Sequence, residues 1–298
     1  MKLHRVLRAI PFFITVALTL LIVKRISVSR LASVPREVSF PFLSATLSLN
    51  IPFILLKSYK WYRIARMTFD DMRFKDAVSS FLIGISVSLF TPARMGELAR
   101  VVVFKRDRRR AFMLAIIDKL TDVVALGLLF TISMFLLYRH VGMILGVGGL
   151  LVLLITFAIW WQRSSNFHTL FFIFQLLVSL LCFLLLMLQF YMILLDLSEV
   201  RFIDVFIGLP LILVGSMLPI TVSGLGLREM VASVILTRFG IAPAQAVGAS
   251  FLLFIVNGLI PGLIGLSLWW ILSLGNINFG GAMDGRESRN ISGDAMLE

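Results

Sequence analysis

Three groups of ionisable residues stand inside or beside strongly apolar sequence. Arg94, Glu97 and Arg100 follow Thr91-Pro92, Asp118, Lys119 and Asp122 lie within the apolar run 111–137, and Arg228 and Glu229 end the stretch Pro219 to Glu229. A charge at the centre of a membrane helix costs about 2.5–3.5 kcal/mol, so these residues must pair with one another or face water. Two chemistries fit. In one, they are structural ion pairs between helices, with Arg94 and Arg100 answering Glu97 or Asp118. In the other, Arg94 and Arg228 face a phosphate, helped by unpaired N–H groups at helix N-termini and by Gly224 and Gly226, which let backbone approach closely. Asp118 and Asp122, four residues apart, share a helix face, with Lys119 turned by about 100°.

The elements that must position these residues are hydrophobic. Of 298 residues, 59% are hydrophobic and 15% charged, and mean hydropathy is +0.98, which predicts an all-α polytopic membrane protein. Six apolar segments are long enough, or nearly so, to span a bilayer: 9–23, 38–56, 111–137, 141–161, 170–195 and 244–272. Two more, 77–90 and 205–218, hold 14 residues each and run into Pro92 and Pro219. At ~1.5 Å per residue such a helix covers about 21 Å, short of the ~30 Å hydrocarbon core. Thr91 suits an N-cap and Pro92 the first turn of a new helix. Two short segments broken at proline are the pattern of re-entrant, discontinuous helices in an inverted repeat, with residues 1–273 as the membrane domain. From Gly275 the chain turns rich in Gly, Asn, Asp and Ser, so 274–298 reads as a disordered cytoplasmic tail.

Charge placement tests this layout. Lys57 to Lys75 carries six Lys or Arg and Lys105 to Arg110 carries five. If 77–90 dips in and returns, both basic segments lie on the cytoplasmic side, as the positive-inside rule prefers. Asp196 to Asp204, with three acids and one Arg, then lies outside, and the second dip opens outward. Lys24, Arg25, Arg30 and Arg36 run against this scheme if the first helix starts inside, and that helix reads as an uncleaved span.

The net charge of +12 is spread over short segments between apolar runs, which argues against nucleic acid and for anionic lipid headgroups. Cys182 stands alone in an apolar run, leaving no disulfide or thiolate metal site, and His4, His140 and His168 flank apolar runs. No cofactor is expected. Gly142-xxx-Gly146 and Gly258-xxx-Gly262 offer close helix contacts, and Pro261 should kink the last helix.

At these residues the sequence resembles the membrane-domain family of lysylphosphatidylglycerol synthases, the flippase-like integral membrane proteins, over roughly residues 5–272. The family's Pro-Gly-Arg-x-Gly-Glu segment is matched by Pro92, Arg94, Gly96 and Glu97, with Ala93 replacing Gly. Its Glu-Arg-x-x-Asp segment is matched at Asp122, with Asp118 and Lys119 replacing Glu and Arg. Its late Pro-x-x-x-Gly-Gly-x-Gly-x-Arg-Glu segment is matched by Pro219, Gly224, Gly226, Arg228 and Glu229, with Ser223 replacing the first Gly. The resemblance implies that these positions handle a phospholipid or polyprenyl-phosphate lipid in a prokaryotic cytoplasmic membrane. It implies no lipid aminoacylation, which belongs to a soluble domain that the family's synthases carry after this one.

The expected function is therefore a lipid translocator rather than an enzyme. A membrane-embedded transferase with Glu97 or Asp122 as general base, or a structural partner in a complex, are the alternatives. Membrane lipids are the expected ligands. A homo-oligomer or a separate synthase or transferase is the expected kind of protein partner.

Overall fold

A computed structural model describes residues 37–92, 94–104, 107–138 and 169–274, with a few positions between 147 and 158. The expected span 9–23, most of the span 141–161, Gly142 and Gly146, the three histidines and the tail after 274 lie outside them. Within them the chain forms α1 (Phe40–Ala65), α2 (Phe74–Ser88), a 3-10 segment (Met95–Val103) and α3 (Arg108–Leu137). Then come α4 (Thr169–Leu197), α5 (Phe202–Ser216), α6 (Leu227–Leu236), α7 (Pro243–Phe254), a π turn (Ile255–Leu259) and α8 (Ile260–Leu274).

Four stretches are long and apolar enough to cross a membrane: α1, α3, α4 and the continuous run from Pro243 to Ile271. The protein is an all-α polytopic membrane protein. α1 outruns its apolar segment, which was expected to end at residue 56, by nine residues to Ala65. The overrun carries Lys57, Lys60 and Arg63, so the first three of the six basic residues counted toward a loop are helical instead.

α2 and α5 are each 15 residues long, about 22 Å. They begin alike. The N–H of Arg73 donates to Asp76 Oδ2 at 3.2 Å and that of Arg201 to Asp204 Oδ2 at 3.1 Å, placing a carboxylate on the positive end of each helix. Neither crosses and continues. Ala77 near the start of α2, Phe104 after the 3-10 segment and Ala111 at the start of α3 belong to one core cluster with Trp61 and Phe69. The rings of Phe69 and Phe104 are 4.6 Å apart, so the chain returns to the end from which it left. A second cluster at the opposite end joins Leu197, Val205 in α5, Leu236 at the close of α6, and Ile241 and Ala246. The two hairpins thus enter from opposite ends.

Helix partners repeat between the halves. α1 packs on α4, each return arm packs on its own short helix, α2 packs on α8, and α5 packs on α3. Each half runs long helix, short helix, return arm, long helix, which is the inverted repeat expected from the two proline breaks. α8 seats against α2 through glycine: a Cβ at Gly265 would lie 2.1 Å from the Leu82 carbonyl oxygen, and one at Gly262 2.6 Å from Leu89. Of the expected Gly258-xxx-Gly262 contact, Gly258 instead faces Phe254 and Arg94.

The interruption near Pro261 takes the form of the π turn, upstream of the proline. That turn leaves carbonyls without their usual helical partners, and side chains answer them. Asn50 donates to the Val256 carbonyl at 2.6 Å, and Asn257 is held by Gln189 at 2.8 Å.

Candidate functional site

The two hairpin tips meet. Pro92 and Val222 form an antiparallel backbone bridge, and the Ser223 N–H donates to the Thr91 carbonyl at 3.0 Å. Beside the bridge Arg94 and Ser223 both take left-handed backbone, with φ of 54° and 55°. Thr91 does not open an α-helix at Pro92 as the sequence suggested. The new segment is 3-10 and starts at Met95, and the Thr91 hydroxyl accepts from the Gly96 N–H at 2.7 Å across the turn. Gly96 is there for proximity: a Cβ would lie 2.3 Å from the Ser88 nitrogen.

Around the junction the charges form a nearly closed network. Arg100 donates to Asp118 at 2.7 Å and lies 4.3 Å from the Trp61 ring centroid. Lys119 meets Glu97 at 2.5 Å. Asp118 and Asp122 face one side of α3, as their spacing predicts, and Lys60 touches both, at 3.1 and 2.6 Å. Lys57 reaches the other Asp122 oxygen at 2.7 Å, while Ser179 from α4 donates to Asp122 Oδ1 at 2.8 Å. Lys60 is fully buried, and its carbonyl accepts from Gln175. An ammonium so placed is tolerable because every partner is present.

On the second hairpin the pairing is internal. Arg228 bonds the adjacent Glu229 and donates from Nε to Ser250 at 3.1 Å. Its guanidinium also lies 5.0 Å from the Phe254 ring centroid. The other Glu229 oxygen accepts from the Gly226 N–H at 2.7 Å. Gly224 and Gly226 have φ of 77° and 81°, a conformation that costs other residues strain. With Pro219 they shape the tip. They do not face the cavity, and the N–H groups of Gly96 and Gly226, expected to await an anion, are already used.

Arg94 is the exception. Among the described residues its side chain makes no hydrogen bond or ion pair, although its carbonyl accepts from the Glu97 N–H at 3.2 Å, and its Nη2 lies 3.7 Å from where a Gly258 Cβ would stand. It lines a cavity of about 130 Å³ together with Lys57, Glu97, Arg100, Asp118, Lys119, Asp122 and Arg228. Ser223 and Asn257 line the same space, and each has a buried side-chain oxygen without a partner. The volume suits one phosphate-sized group with water. A pocket that encloses a whole drug-sized ligand runs to about 300–1,000 Å³. Among the described residues no three His, Cys, Asp or Glu side chains gather as a metal site would require.

Most of the expected site residues therefore share one chamber, and all of its charged residues but Arg94 are held in ion pairs. Lys57, Lys60, Ser179, Ser223 and Asn257 escaped the sequence reading. The lysines could have been found by their spacing, since residues three apart on one helix match carboxylates four apart on another.

A comparison with curated proteins gives no match. The family profile described as the lysylphosphatidylglycerol synthase TM region matches residues 8–265, a span that contains both hairpins and every residue of the chamber. The chain belongs to the lysylphosphatidylglycerol synthase transmembrane-region family.

Proposed function

We propose that this protein is a lipid translocator of a prokaryotic cytoplasmic membrane, carrying the acidic headgroup of a phospholipid or polyprenyl-phosphate lipid past the junction of its two hairpins and making or breaking no covalent bond. Family membership associates the chain with membrane lipids. The observation that carries the reading is Arg94, a guanidinium with no ion-pair partner among the described residues, at the meeting point of two interrupted segments deep in an apolar protein. Such a charge is expensive unless water or an anionic ligand reaches it. The small chamber admits the headgroup, and acyl chains remain in the bilayer. Rocking of the two repeats about the junction alternates access. The end bearing Arg63, Arg66, Arg73 and Arg108 to Arg110 faces the cytoplasm on this reading.

The test is reconstitution in liposomes containing fluorescent anionic phospholipid or polyprenyl phosphate. Labelled lipid should change leaflets faster with the protein than in empty liposomes. Arg94→Gln should lose most of this rate while unfolding at an unchanged temperature. Transfer no faster than in empty vesicles for both lipid types would overturn the proposal.

A further inference from the structure

The charge balance and size of the chamber narrow the headgroup. Six basic side chains gather at the junction: Lys57 and Lys60 from α1, Arg94 and Arg100 from the first tip and its return arm, Lys119 from α3, and Arg228 from α6. Four carboxylates oppose them, Glu97, Asp118, Asp122 and Glu229, and α4 contributes no charge but the neutral Ser179 and Cys182. Two positive charges are left over. The pairing locates them: among the described residues Arg94 has no carboxylate within ion-pair distance, and two lysines share the single carboxylate of Asp122.

We infer that the ligand is a lipid ending in a phosphate monoester, a group of up to two negative charges, in preference to a phosphodiester or zwitterionic headgroup. This rests on the anionic-headgroup reading above and specifies it. A monoester carries about −1.5 to −2 charge near neutral pH, with its second proton leaving near pH 6, and it matches the excess. A diester carries one negative charge and leaves one cation uncompensated in a low-dielectric chamber. A zwitterion leaves both. Size agrees, because a terminal phosphate bears no further substituent, whereas a diester must lodge a glycerol, serine or sugar beyond its phosphorus in about 130 Å³ already edged by twelve polar side chains and many apolar ones. The fit also extends to hydrogen bonding. The lining offers donors for three non-bridging oxygens in the Arg94 fork, the Lys57 ammonium and the unpartnered hydroxyl of Ser223, which is only 3% exposed.

The experiment titrates the detergent-purified full chain with short-chain phosphatidic acid, short-chain phosphatidylglycerol, short-chain phosphatidylcholine and inorganic phosphate, reading the midpoint of thermal unfolding and the affinity derived from it. At pH 8 phosphatidic acid should bind at least about tenfold more tightly than phosphatidylglycerol, which corresponds to one extra buried charge contact. At pH 5, where the monoester holds its second proton, the ratio should fall toward one. Arg94→Gln should bring the pH 8 ratio toward one as well. Equal binding of the two acidic lipids at pH 8 would overturn the monoester assignment and leave the anionic-headgroup reading intact. Binding of none of the lipids would overturn both. Inorganic phosphate binding as tightly as phosphatidic acid would assign the chamber to the free anion and overturn the lipid assignment.

Discussion

The two hairpins enter the protein by the same device and leave it by different ones. Both begin with an arginine N-cap and an aspartate three residues on, and both run 15 residues to a serine. The first then returns as nine residues of 3-10 helix, about 18 Å long, and the second as ten α-helical residues closed by a short 3-10 turn, about 21 Å. The return paths are nearly equal in length, so the 3-10 geometry lets fewer residues cover the same depth. The charges differ more. Arg228 and Glu229 satisfy each other within one turn, whereas Glu97 and Arg100 reach across to Lys119 and Asp118 on α3. The second hairpin is electrostatically self-contained. The first is tethered to its neighbour, with Arg94 left over.

Removing the tether should have the largest effect. Asp118→Ala strips Arg100 of its partner and Lys60 of one of two, and should destabilise the protein by about 3–5 kcal/mol in detergent unfolding. Hydrogen exchange should rise over residues 95–103 and stay low over 227–236. Glu229→Ala should give the reverse pattern, and identical patterns would erase the contrast. Next comes Gly96→Ala, expected to cost about 3 kcal/mol because the added carbon meets rigid backbone. The corresponding Gly224→Ala, whose Cβ would stand 3.3 Å from the Ser216 carbonyl, should cost about 1–2 kcal/mol, mainly through its left-handed backbone.

A charge exchange sharpens the comparison further. Glu97→Lys should weaken the first hairpin, and adding Lys119→Glu should restore it, with a coupling of about 1 kcal/mol in a double-mutant cycle. The value is modest because the pair is about one-quarter exposed. The smallest effects belong to what the hairpins share: Asp76→Asn and Asp204→Asn should each cost up to about 1 kcal/mol, and equally, in thermal unfolding.

Helix type, the four spanning runs among the described residues and both breaks were legible in the sequence, because apolar length and proline are local signals. So was the shared face of Asp118 and Asp122, a matter of helical period. Pairing across the fold was not. Lys57 and Lys60 read as loop charge because hydropathy falls at residue 57, yet packing against α3 and α4 prolongs α1 to Ala65 and draws both lysines inward. The 3-10 return was equally hidden. Its cause is the approach of Gly96 to the backbone of Ser88, a tertiary constraint on which local propensity is silent. Arg100, Glu97 and Lys119 fit the ion-pair account, whereas Arg94 makes no such pair among the described residues.

The junction at Pro92 and Val222 joins main chain to main chain, with Ser223 bonded to the carbonyl of Thr91. A stitch of this kind is made by backbone groups alone, so the side chains of Thr91 and Val222 are not themselves part of the joint. For a translocator it would also make the tips a common fulcrum: a lever pushed at one face of the bilayer would tilt the arm at the other, so that neither hairpin could swing without the opposite one feeling the displacement.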